Sequence, residues 1–166
     1  MKLPVLAAAA AILLASVEPA AANRLRWAAD TDPGTMDPYT RNVTATHSFL
    51  ANIYEPLVRR GRDLALEPAL ATSWKQTAPD VWRFELRRDV RFHDGTPFTA
   101  DDVVFSYGRA RGPGSLIASY LSSTKEIRKI DDYTVEFVTD GPDPILPGNF
   151  AIWHIMSKGW AEKNNA

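Results

Sequence analysis

The feature that most constrains the fold is a strict alternation of apolar and charged side chains near residue 84. Trp82, Phe84 and Leu86 occupy one set of alternate positions, and arginine or glutamate occupies the other. Because successive side chains of a strand point to opposite faces, this pattern predicts one buried and one solvated face. A Pro79-Asp80 turn separates this strand from an earlier one over residues 74–77. The pattern therefore predicts an antiparallel hairpin in a half-buried sheet.

A second hairpin and several helices are predicted around the first. Strands over residues 126–130 and 133–139 flank a two-residue turn, and a further strand is predicted over residues 24–29. Thr99, with Asp102 three residues on, predicts a capped helix. An earlier helix is predicted from Thr44, with Pro56 near its end, on an apolar stripe of Phe49, Leu50, Ile53, Tyr54 and Leu57. Hairpins interleaved with helices predict a mixed α+β fold.

The first 22 residues have the pattern of a secretory signal peptide. Lys2 supplies the positive charge, Leu3 to Leu14 form an apolar run, and Ala20-Ala21-Ala22 is a small-residue cleavage site. The alternative is an N-terminal membrane helix, which needs about 20 apolar residues. The shorter run favours a signal peptide over residues 1–22, cleaved after Ala22, and an exported chain over residues 23–166.

Composition limits what such an exported chain can be. It has no cysteine, so it forms no disulfide and accepts no lipid at a cysteine; we expect a soluble periplasmic protein. The signal peptide carries one lysine and one glutamate, so the net charge stays at −1 after cleavage. That balance predicts no nucleic-acid partner.

No residue pattern predicts catalysis, a metal site or a cofactor. The three histidines lack the spacing of a metal site, and His93-Asp94 is interpreted as a turn. Asp101-Asp102 begins a helix and Asp131-Asp132 forms a hairpin turn, so neither pair faces across a cleft. No nucleophile elbow is present. We therefore expect a protein that is not an enzyme.

A turn-rich loop follows the first predicted strand. Open sheets bind ligands beyond the carboxyl ends of their strands, where this loop lies. Met36 and Tyr39 in the loop are therefore candidates for ligand contact, and ordinary loop packing is an equal alternative.

The middle of the sequence resembles a known family. The stretches that carry the resemblance are Leu66 to Ala71, Ser73-Trp74, Trp82 to Arg87 and Val90 to Ser106. Supporting matches are Asp37-Pro38, Ile53 to Leu57, Asp132 to Val135 and Ile155 to Lys158. Together they resemble the family 5 extracytoplasmic solute-binding proteins, the peptide, dipeptide and nickel receptors of ABC importers.

The resemblance implies a fold and a function. Family members have two lobes that close on ligand, in a type II-like periplasmic binding protein fold. The chain resembles only their N-terminal third, so residues 23–166 are expected to hold part of lobe I and its small subdomain, truncated before the second lobe. The loop over residues 31–39 resembles the segment that lines the cleft, which makes Thr31, Asp32, Met36 and Tyr39 the candidate ligand contacts.

The implied function is capture of a small solute for an ABC importer, by a monomer that delivers it to a membrane permease. Oligopeptide or dipeptide is the leading cargo, and an opine, an oligosaccharide or a metal chelate stays open. No cofactor is implied. The alternative from another class is a secreted hydrolase of unknown type.

Overall fold

The structure, a computed structural model, describes residues 31–166. The predicted signal peptide, its cleavage site and the strand over residues 24–29 lie outside these residues. None of the helices within residues 31–166 has the length and apolar character needed to cross a bilayer. The elements in chain order are α1 (Thr44–Leu50), β1 (Val58–Arg60), β2 (Leu66–Pro68), β3 (Ala71–Ala78), β4 (Val81–Leu86), α2 (Ala100–Ala110), a 3₁₀ turn (Ala118–Leu121), β5 (Thr124–Asp131), β6 (Thr134–Thr139), α3 (Leu146–Asn149) and α4 (Lys158–Asn164).

Both predicted hairpins are present, and they join into one four-stranded sheet. The strand order is β3-β4-β6-β5, and every pair is antiparallel. The alternation in β4 is confirmed, since Phe84 and Leu86 are buried on one face. On the other face Arg83 lies opposite Glu136 of β6 and donates to one of its carboxylate oxygens at 2.7 and 2.9 Å. The first strand of each hairpin is longer than the sequence predicts and forms an edge of the sheet.

An aromatic cluster fills the core behind the sheet. It comprises Phe84 and Phe137 from the sheet, Tyr107 from α2, and Phe150 and Trp153 from the segment after α3. The Phe137 and Phe150 rings lie 4.5 Å apart between centroids, and Trp153 meets Phe137 edge to face at 6.0 Å. Edge-to-face pairs add to the energy of apolar burial. The sequence-predicted mixed α+β fold is therefore confirmed for the described residues.

Helix α2 begins where its sequence predicts. Asp102 accepts a hydrogen bond from the Thr99 amide at 2.9 Å, which satisfies a free donor at the helix start. Its other carboxylate oxygen accepts from the Lys158 amide at 2.9 Å, at the first residue of α4. One buried carboxylate thus joins the N-terminal ends of two helices that are far apart in sequence.

Helix α1 is shorter than predicted. The apolar stripe extends to Leu57, but the helix ends at Leu50. The Asn52 side-chain amide donates to the carbonyls of Ser48 and Phe49, which competes with continued helical bonding. Pro56 also disfavours a helical conformation at the residue before it. Tyr54 and Leu57 therefore contact the core from backbone that follows the helix, and Ile53 is only partly buried.

Candidate functional site

The loop over residues 31–39, which we call the site loop, is built from short side-chain turns. The Gly34 amide donates to Asp32 Oδ1 at 2.6 Å, the Asp37 amide to Thr35 Oγ1 at 3.0 Å, and the Tyr39 amide to Asp37 Oδ1 at 2.9 Å. Asp and Thr side chains that accept the amide two residues on are the usual means of holding a turn without a strand. Local side-chain hydrogen bonds therefore shape the site loop, in addition to its contacts with other elements.

The site loop is attached to the core by its last residue. Tyr39 is buried, with 1% of its surface exposed, and its hydroxyl donates to the His154 carbonyl at 2.7 Å. Its own carbonyl accepts from the Leu116 amide at 2.8 Å. Burial raises the pKa of the Tyr39 hydroxyl far above its ordinary value, so the group stays a neutral donor. The Tyr39 side chain therefore packs in the core, and its role as a ligand contact stays a prediction.

The other predicted contacts lie on the solvent side of the site loop. Thr31 and Asp32 are exposed, and half of the Met36 surface is exposed. The Met36 carbonyl accepts from the Tyr54 hydroxyl at 3.1 Å, which supports the loop at the same position. The surface of the site loop thus presents a hydroxyl, a carboxylate and a thioether. These groups suit non-covalent recognition.

A cavity of about 530 Å³ lies beside the site loop. Tyr54 belongs to both features, because its side chain lines the cavity and its hydroxyl holds Met36. The wall is mostly apolar and aromatic, with Glu55, Arg91, His93, Asp94 and Ser157 as its polar members. The remaining lining residues are Ile53, Leu70, Val90, Phe92, Phe98, Ile155, Met156 and Trp160. The volume is that of an ordinary small-molecule pocket.

Two histidines stack beneath the site loop. The rings of His47 in α1 and His154 lie 6.0 Å apart and are inclined by 24°. Burial, and then the neighbouring His47, lowers the pKa of His154 to about 4. Burial also lowers the pKa of His47. Both rings are therefore neutral at neutral pH. Within residues 31–166 no group of three or more His, Asp or Glu side chains is arranged to hold a metal ion.

Two residues that organise the site loop were missed from the sequence. Arg109 contacts Asp37 across 72 positions of sequence, and Tyr54 contacts Met36 across 18. No local pattern predicts either contact, because helix and turn signals extend over only a few residues. Arg109 lies in the last turn of α2, where a basic residue is already explained by the helix dipole.

Comparison with known proteins identifies this arrangement as part of a two-lobed periplasmic binding protein. The structure matches OppA of Burkholderia pseudomallei with a TM-score of 0.74 and 28% identity, over 78% of this chain and 29% of that one. It matches AgaA of A. tumefaciens R10, solved in complex with agropinic acid, with a TM-score of 0.74 and 29% identity. That match covers 81% of this chain and 28% of AgaA.

The sequence comparisons give the family. Residues 65–166 match the model of the bacterial extracellular solute-binding proteins, family 5 Middle, and the chain belongs to this family. It is 30% identical over 129 residues to the periplasmic oligopeptide-binding protein OppA of Escherichia coli (strain K12). That alignment covers 66% of this chain and 24% of OppA, so the chain spans about a quarter of the length of this relative.

Proposed function

We propose that the protein carrying this chain is the periplasmic solute receptor of an ABC importer and that its leading cargo is an oligopeptide or dipeptide. The observation that carries the proposal is family membership, together with a fold that matches the oligopeptide-binding OppA proteins. Capture is non-covalent, between lobes that close on ligand. Residues 23–166 supply part of lobe I and its small subdomain, after cleavage of the signal peptide over residues 1–22.

Thr31, Asp32 and Met36 form the ligand-facing surface of the site loop in this proposal, and Tyr39 supports them from the core. The exposure of the first three and the burial of Tyr39 support this division of roles. Asp32 supplies the only carboxylate on the exposed side of the loop, because Asp37 is paired with Arg109. A cationic or hydrogen-bond-donating group of the ligand is its natural partner.

Binding is tested with the mature full-length protein and a panel of di- to pentapeptides, agropinic acid, an oligosaccharide and nickel–histidine. A ligand that binds only the native state raises the free energy of unfolding by about 2.7 kcal/mol at 100 times its Kd. We expect stabilisation by peptides. Stabilisation by agropinic acid alone would reassign the cargo to an opine, and no response to any member would reject the receptor proposal.

The role of Asp32 is tested by Asp32→Asn, with Asp63→Asn as a matched control. Each aspartate is exposed and accepts the amide two residues on, at 2.6 Å from Gly34 and 3.1 Å from Ala65. Asp63 precedes β2, outside the site loop. We expect only Asp32→Asn to weaken peptide binding. Equal affinities for the two variants would remove Asp32 from the site.

The protein is not an enzyme in this proposal and acts as a monomer with a membrane permease as its partner. Peptides incubated with the protein should be recovered intact by mass spectrometry, whereas cleavage would favour the secreted hydrolase. Light scattering after gel filtration measures the oligomeric state. Cell fractionation, with N-terminal sequencing of the periplasmic product, tests export and the predicted start at Asn23.

A further inference from the structure

A two-point ion pair joins the site loop to helix α2. Arg109 Nη1 donates to Asp37 Oδ1 at 3.0 Å, and Nη2 donates to Oδ2 at 2.7 Å. The two side chains are 24% and 23% exposed. A fork of two parallel bonds fixes the orientation of the carboxylate as well as its position, and partial burial reduces screening by water and salt.

The carboxylate that Arg109 holds is itself the centre of the site loop. Asp37 Oδ1 accepts the Tyr39 amide at 2.9 Å, and the Asp37 amide donates to Thr35. The Arg109 guanidinium also lies over the Tyr39 ring, 5.2 Å from its centroid. One arginine therefore contacts the loop at a carboxylate and at an aromatic ring, two residues apart.

The charge of Asp37 depends on this arrangement. Burial alone opposes ionisation, but the hydrogen bonds from Arg109 and the Tyr39 amide outweigh it and lower the pKa of Asp37. The same ion pair raises the pKa of Arg109. Both groups are therefore charged at neutral pH, and the pair persists until acid protonates the carboxylate.

We propose that Arg109 is a positioning residue, which holds the site loop in its ligand-ready conformation before ligand arrives. The inference rests on the proposed function, since it takes the exposed side of the loop as the ligand-facing side. If the loop is mobile in the free protein, ligand binding must order it, and each residue that becomes ordered loses conformational entropy. A loop ordered in advance does not incur this cost on binding, so loss of the ion pair weakens binding even though Arg109 does not touch ligand.

The residue that follows the last residue of α2 offers a matched control. Arg111 also stacks over a tyrosine ring, with its guanidinium 5.2 Å from the Tyr107 centroid, and it donates to the Thr124 carbonyl at 3.1 Å. Its contacts are to the core and β5, away from the site loop. Arg111→Met removes an arginine–tyrosine contact at the same ring distance, together with the hydrogen bond from Arg111 to the Tyr107 hydroxyl, and leaves Asp37 untouched.

The test compares Arg109→Met, Arg109→Lys and Arg111→Met in the mature full-length protein. Hydrogen exchange measures protection of the amides of residues 35–39, with residues 134–139 as an internal reference. We expect at least a tenfold loss of protection in the site loop for Arg109→Met and a smaller loss for Arg109→Lys. Arg111→Met should keep the wild-type value. Protection in Arg109→Met should also fall at a higher pH than in the wild type, because Asp37 has lost the partner that lowers its pKa.

Titration with trialanine as the probe separates positioning from general stability. We expect the Kd of Arg109→Met to rise at least tenfold and that of Arg111→Met to stay unchanged, even where both lower the melting temperature. Wild-type protection of the loop in Arg109→Met, or an equal loss in Arg111→Met, would overturn the inference. If no peptide of the panel binds the wild type, the peptide proposal fails, and the exchange and pH measurements still decide the role of Arg109.

Discussion

The buried ring of His154 makes stability depend on pH in a range where most carboxylates do not titrate. Its side chain is 3% exposed, and burial followed by the neighbouring His47 lowers its pKa to about 4, from an ordinary value of 6.5. The unfolded chain therefore takes up a proton before the folded chain does as the pH falls. Protonation of His154 therefore does not lower the free energy of unfolding above about pH 6.5. The free energy of unfolding then falls progressively as the pH decreases to about 4.

The size of the effect follows from the shift. A tenfold change in an ionisation constant corresponds to about 1.4 kcal/mol, so a fall in the pKa of His154 from 6.5 to about 4 is worth at most roughly 3 kcal/mol. Between pH 7 and pH 5 the loss amounts to about 2 kcal/mol, because the unfolded histidine is almost fully protonated at pH 5 and the folded one is not.

The assay is urea unfolding of the mature protein at pH 7, 6 and 5, for the wild type, His154→Gln and His93→Gln. Glutamine does not titrate, so His154→Gln should lose about 2 kcal/mol less than the wild type over this range. His93 is exposed in a turn, and its variant should follow the wild type. Parallel pH profiles for the wild type and His154→Gln would refute the assignment of this acid sensitivity to His154.

Three further predictions concern the fold and the site loop. Asp102→Ala leaves the starts of α2 and α4 without their shared acceptor, and we expect a loss of about 2 kcal/mol in the free energy of unfolding by urea denaturation. Phe137→Ala opens a cavity at the centre of the aromatic cluster and should cost about 3–5 kcal/mol in the same assay, whereas a cost below about 1 kcal/mol would mean that the cluster repacks. Gly34 has φ +72°, and an added Cβ would lie 2.0 Å from Nη1 of Arg41, so Gly34→Ala should reduce hydrogen-exchange protection of the site loop. Gly95→Ala is the control: Gly95 also has a positive φ, +85°, but an added Cβ would meet no atom within 4 Å. This variant should leave the hydrogen-exchange protection of the site loop unchanged.

The sequence predicts both hairpins because their signals are local, whereas the pairing of β4 with β6 joins residues about 50 positions apart. The alternation of Trp82, Phe84 and Leu86 has the period of a strand, and the short Pro79-Asp80 turn determines which strand pairs with it. Thr99 and Asp102 act within one helical turn, so the start of α2 is also predicted. Each of these features depends on residues fewer than ten positions apart.

The end of helix α1 and the anchoring of the site loop depend on individual contacts that the local sequence pattern does not predict. The stripe from Phe49 to Leu57 has helical spacing, but the Asn52 amide and Pro56 end the helix early, and Tyr54 and Leu57 contact the core from backbone that follows the helix. Loop position alone left Tyr39 between ligand contact and packing. Its hydroxyl donates to the carbonyl of His154, which lies 115 residues away and was not predicted to be near it.

The bond from Tyr39 to the His154 carbonyl also constrains when the site loop acquires its structure. A ribosome adds roughly 5–20 residues per second, so the acceptor of this bond is made about 6 to 23 s after the donor. Arg109, the partner of Asp37, is added 72 residues after it, so the interval is shorter for this pair. Once residue 86 has been added, the first hairpin has all of its residues, whereas the loop has neither anchor until residue 109 is added. The long-range contacts of the site loop are thus completed late in the synthesis of this region, and a chain released before residue 154 lacks the acceptor for the Tyr39 hydroxyl.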